Sequence, residues 1–132
     1  MAAQRHFLTD SRQRELINLI PQWQIQEWRG LGWPVILEHF GRRLEELGSG
    51  DAKRPTPGSN RMVMHCCFHA ERTPSLALYD NGGFTCYGCG CSGGIPEFVM
   101  AIEGLHEYLV VEMFFQRLMR RPGPDQIRLF VT

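Results

Sequence analysis

Apolar positions in the first 48 residues recur at helical rather than strand spacing. Asp10 or Ser11 caps a predicted helix whose apolar residues are Leu16, Ile17 and Ile20, ending near Pro21. Pro34 fits the first turn of a second predicted helix. In it Ile36, Leu37, Phe40, Leu44 and Leu47 return every three or four positions until Gly48 stops the run. The Gln-rich stretch 22–28, with Trp23 and Trp28, has no assignment from its pattern. These apolar faces are read as helix–helix packing before any partner groove is invoked.

After residue 48 the pattern changes. Residues 49–60 are rich in Gly, Pro and Ser and read as a linker or exposed loop. Short β-like runs follow at 62–64, 76–79 and 84–86, the last two joined by Asp80-Asn81-Gly82-Gly83, a strong hairpin signal. Pro96 opens a helix through Phe98, Val99 and Ile102, closed by Gly104. A last helix, about 106 to 120, carries Leu109, Met113 and Leu118, and Pro122 and Pro124 end it. The tail 122–132 holds a candidate strand at 127–131. The expected class is α+β: a helical extension (1–48), a linker (49–60), a compact domain (61–121) and the tail.

Composition narrows this little. The 132 residues hold 43% hydrophobic and 21% charged residues, ordinary for a globular chain, and 14 cations balance 14 anions. No global field draws the chain to nucleic acid or membrane. No apolar run approaches a membrane span, and the N-terminus lacks an apolar export segment, so the expected location is cytoplasmic.

Cysteine placement changes the picture. All five cysteines fall between Cys66 and Cys91, an odd and tightly spaced set unlike a disulfide framework. Cys66-Cys67-Phe68-His69 reads C-x-x-H and Cys86-Tyr87-Gly88-Cys89 reads C-x-x-C, with sixteen residues between His69 and Cys86. A two-residue gap lets one turn present two donors to one ion, and such a loop brings the second pair across. Three thiolates and an imidazole suit one structural Zn²⁺ with no open position for water. The expected ligands are Cys66, His69, Cys86 and Cys89. His65, Cys67 and Cys91 remain alternative donors; Cys67 and Cys91 otherwise read as small residues packed beside the metal.

The run Cys66-Cys67-Phe68-His69-Ala70-Glu71-Arg72-Thr73-Pro74-Ser75-Leu76 resembles the zinc-binding (CHC-type zinc finger) domain of bacterial DnaG-type DNA primases, which reads C-P-F-H-x-E-[KR]-T-P-S-F there. Residues 84–100 continue the likeness, which covers roughly 58–118, and position by position it implies the same ligands, Cys66, His69, Cys86 and Cys89. It implies a zinc ribbon with a small antiparallel sheet flanked by helices, and a module that contacts single-stranded DNA template in primer synthesis beside a separate primase/polymerase domain. Departures are Cys67 for the family proline, Leu76 for Phe, and Gly94 for Asp/Asn, which removes a side-chain cap. The catalytic fold of such primases, with its Mg²⁺-binding acidic residues, has no room here. The chain is therefore expected to have no catalytic centre and to act as an accessory domain or subunit.

Single-strand binding needs cations along a path and aromatic faces. The candidates are Arg61, Arg72, Lys53 and Arg54, with Tyr79 and Tyr87; Phe68 and Phe84 read instead as packing around the metal. Residues 61–103 sum to −2, and a zinc with three thiolates adds −1, so intrinsic affinity is expected to be weak. The alternative is a zinc-stabilised protein adaptor or regulatory factor of a mobile element, docking a partner through the N-terminal helices and their tryptophans.

Overall fold

The computed structural model describes residues 8, 10–46, 61–68 and 75–120. Helix α1 (Ser11–Leu19) starts where the Asp10 side chain accepts a 2.8 Å hydrogen bond from the Arg12 amide. Helix α2 (Gln22–Arg29) occupies the stretch that pattern alone left unassigned. The single helix expected over residues 34–47 is two, α3 (Trp33–His39) and α4 (Gly41–Glu46). The break falls at Phe40, whose backbone leaves the helical region (φ −99°, ψ 11°) while its ring stays buried.

The four strands form an antiparallel meander, β1 (Arg61–Met64), β2 (Leu76–Tyr79), β3 (Gly83–Cys86) and β4 (Ser92–Gly94), in that spatial order. The hairpin forms as its turn residues require: Gly82 has φ +82°, and the Asn81 side chain accepts from the Gly83 amide at 2.9 Å. Strand alternation puts Leu76, Leu78, Phe84 and Cys86 on the core face and Ala77, Tyr79 and Thr85 on the other. Strand β4 has no sequence signal, because Ser-Gly-Gly carries no apolar side chain; its pairing with β3 places it.

Helix α5 (Ile95–Glu103) follows β4 directly, with Pro96 in its first turn and Gly104 ending it at φ +68°. Gly94 supplies no side-chain cap, but Glu97 reaches back to the N-cap, its Oε1 accepting from the Gly94 amide at 3.1 Å. Helix α6 (Tyr108–Arg120) buries Val111, Phe115 and Leu118, leaving Leu109 and Met113 exposed.

One hydrophobic cluster joins the N-terminal helices to the ribbon. Trp28 stacks on Phe115 at 4.5 Å and Trp33 sets its edge against Phe84 and Phe98. The buried Gln13 side chain donates to Met100 O and Leu105 O at 2.9 and 2.7 Å, tying α1 to α5 and the turn that follows it. Gln24 holds Glu112 and Tyr108 of α6 by its side-chain amide. Residues 47–60 and the 127–131 strand expectation lie outside the described residues. No described helix is long and apolar enough to cross a membrane.

Candidate metal centre

Four sulfurs converge where the core face of the sheet ends. Cys66 lies two residues beyond β1, Cys86 is the last residue of β3, Cys89 sits in the following turn, and Cys91 immediately precedes β4. Their Sγ atoms all lie within 4.8 Å of one another. None of the five cysteines is in a disulfide. A zinc with Zn–S bonds of about 2.3 Å holds tetrahedral sulfurs about 3.8 Å apart, so this spacing suits the ion.

Backbone geometry builds the second knuckle. The Gly90 amide donates to Cys86 O at 2.9 Å and the Cys89 amide points at Cys86 Sγ at 3.4 Å. Gly90 takes φ +80°, and the Cys86 amide then donates to Cys91 O at 2.8 Å, closing the loop. On the first knuckle the Phe68 amide points at Cys66 Sγ at 3.3 Å. Ser75 Oγ stands 3.3 Å from Cys86 Sγ. Such donors stabilise sulfur that carries negative charge.

The thiols differ electrostatically. Contact with the Cys91 thiol, then burial, pushes Cys66 far above the usual thiol range. Burial also works against ionising Cys86, but the Ser75 hydroxyl and the Cys89 and Gly88 amides outweigh it and hold that thiol low. Burial raises Cys89. A metal at this place displaces thiol protons.

Of the expected ligands, Cys66, Cys86 and Cys89 meet in the cluster, and His69 lies outside the described residues. Cys91, an alternative donor in the sequence that otherwise reads as packing, brings the fourth sulfur; Cys67 and His65 are not in the cluster. Phe68 packs on Phe84 at 6.2 Å and on Phe98 at 5.7 Å, roofing the metal end.

On the opposite sheet face, Tyr79 and Tyr87 bring their hydroxyls to 2.7 Å. Tyr87 is 66% exposed. Arg61 pairs with Tyr79 in the backbone register of β1 and β2. Lys53, Arg54 and Arg72 lie outside the described residues.

Comparison with known proteins agrees with this geometry. Residues 55–119 match the CHC2 zinc finger family. A DNA primase of Mycobacterium bovis is 30% identical over 79 residues, 59% of this chain and 12% of the primase. One of Helicobacter pylori is 50% identical over 50 residues, 36% of this chain and 9% of the primase. One of Deinococcus radiodurans is 40% identical over 58 residues, 42% of this chain and 10% of the primase. The chain thus spans about a tenth of the length of these relatives. The clustered thiols, set in this finger, are the site of one zinc ion.

Proposed function

We propose, on the premise that residues 55–119 form a CHC2 zinc finger with partial similarity to bacterial DNA primases, that this chain contacts single-stranded DNA template and works beside a separate catalytic domain in primer synthesis. The observation that carries this reading is the sheet face opposite the core. Its Tyr79–Tyr87 pair offers aromatic surface beside the strand that holds Arg61. Bases of any sequence stack on such rings, and the zinc knuckle ending at Cys89 fixes the loop that carries Tyr87. With residues 61–103 at −2, few phosphates are neutralised, so affinity is weak and the partner domain supplies much of the grip.

The test is fluorescence anisotropy of a labelled oligonucleotide titrated with the zinc-loaded chain at several salt concentrations. Binding that weakens with salt and with Tyr87→Ala supports the reading. Absence of binding at low salt overturns it and favours the adaptor alternative. For that alternative the exposed Leu109, Val110 and Met113 of α6 supply apolar contact area. The N-terminal tryptophans offer less, since Trp28 and Trp33 are core residues and only Trp23 is exposed.

A further inference from the structure

Helix α6 has two unlike sides. Val111, Phe115 and Leu118 are buried on one, and Leu109, Met113, Arg117 and Arg120 run along the other at helical spacing. Leu109 and Met113 are 67% and 56% exposed, and Val110 beside them is exposed too. A groove of about 730 Å³ lies between α6 and α3, lined by Met113, Leu118, Arg117 and Arg120 on one wall and by Glu38 and His39 on the other. The His39 ring is fixed there by edge contacts with Phe40 and Phe114 at 4.8 and 5.4 Å, so this wall is preformed.

We infer that this groove and the exposed row of α6 dock an acidic amphipathic helix of a partner protein. Its apolar residues cover Leu109, Val110 and Met113, and its carboxylates meet Arg117 and Arg120. The inference stands apart from template contact, since Tyr79 and Tyr87 lie on the sheet and not on α6.

Charge selects the occupant. Arg117 and Arg120 have no ion-pair partner among the described residues, and in the groove they stand with His39 against the one carboxylate of Glu38. Cations in a last helical turn favour the helix dipole wherever they point. Here they also continue an apolar row, so the row is apolar in its first half and cationic in its second. A phosphate chain would use the arginines and leave the apolar half in water. A wholly apolar partner would desolvate guanidiniums that it cannot pair. A second copy brings no carboxylate on its own row, because Glu112, the acidic residue of α6, is held by Gln24 and Tyr108. A helix with apolar anchors every three or four positions and carboxylates at its flank matches both halves.

The probe is a fluorescein-labelled synthetic helix of about 20 residues, with leucines every three or four positions and glutamates along both flanks; its control carries lysines for the glutamates. Anisotropy is measured on the zinc-loaded full chain. Saturable binding of the acidic helix, weakened by salt and absent for the lysine helix, supports the proposal. So does a loss of about tenfold in affinity in Arg117→Glu and in Met113→Ser, with Arg12→Glu, the same charge change on the exposed side of α1, binding as the parent does. All three side chains are exposed, so the substitutions spare the core, and circular dichroism checks that each variant is folded. No saturable binding at low salt overturns the proposal, as does equal binding of the two helices or equal weakening by Arg12→Glu. Self-association that Met113→Ser abolishes would give the face to a second copy and overturns it. Oligonucleotide binding that Arg117→Glu abolishes, with no binding of the acidic helix, would make the row a phosphate track and overturns it as well.

Discussion

The indole Nε1 of Trp33 donates a buried 3.0 Å hydrogen bond to the carbonyl oxygen of Gly83. This bond ties the start of α3 to the first residue of β3, fifty positions away. The same ring sets its edge on Phe84 and Phe98, so the N-terminal helices hold the hairpin that carries Cys86. Trp33→Phe keeps most of the ring but orphans Gly83 O, and should cost about 1–3 kcal/mol. Trp33→Ala removes the packing too and should cost about 3–5 kcal/mol. Urea unfolding of the zinc-loaded variants measures both.

Arg29 lies across two glycines of the ribbon. A Cβ at Gly82 would meet Arg29 Cβ and backbone oxygen at 2.8 Å, with φ at +82°. A Cβ at Gly94 would meet the Arg29 Nε at 2.5 Å, an atom with no hydrogen-bond partner among the described residues. The guanidinium can swing away; the backbone of α2 cannot. Gly82→Ala should therefore be the more destabilising, at about 1–3 kcal/mol for the backbone conformation alone. Arg29→Ala should relieve Gly94→Ala but not Gly82→Ala. A double-mutant cycle by thermal unfolding separates the two.

Removal of zinc should loosen the sheet, because the cluster sulfurs close the ends of β1, β3 and β4 at one point. Near-UV circular dichroism during chelator titration should lose the signal of Trp33 and Phe84, and readdition of zinc should restore it. A spectrum unchanged after full chelation would contradict a structural role for the ion. Acidification should act in the same direction, since protons return to thiols that the metal holds ionised. Zinc retention is thus expected to fall as pH drops.

Tyr87→Ala should weaken single-strand binding by about 1–3 kcal/mol if a base stacks there. Tyr87→Phe keeps the ring and loses the 2.7 Å contact with the Tyr79 hydroxyl, so it should bind nearly as the parent does. Anisotropy titrations at one fixed salt concentration compare the two. Equal loss in both variants would mean that the hydroxyl pair, and not the ring, matters.

Local chemistry made the metal centre legible. Two donors two residues apart need only one turn to face one ion, so Cys66, Cys86 and Cys89 stood out before any fold was known. The hairpin at Asn81-Gly82 and the helix opened by Pro96 were equally local, set by residues whose own φ preferences allow little else. The return of Cys91 to the cluster, strand β4, helix α2 and the docking of α1–α3 on the ribbon were decided by tertiary structure. Ser92-Gly93-Gly94 becomes a strand only because β3 offers unpaired backbone groups beside it. Gln13 and Gln24 are buried only because carbonyls at and just beyond the end of α5 and a carboxylate on α6 stand ready to satisfy them. A sequence pattern encodes what a few neighbouring residues can do to one another. Partners tens of positions apart meet only once the whole chain has packed.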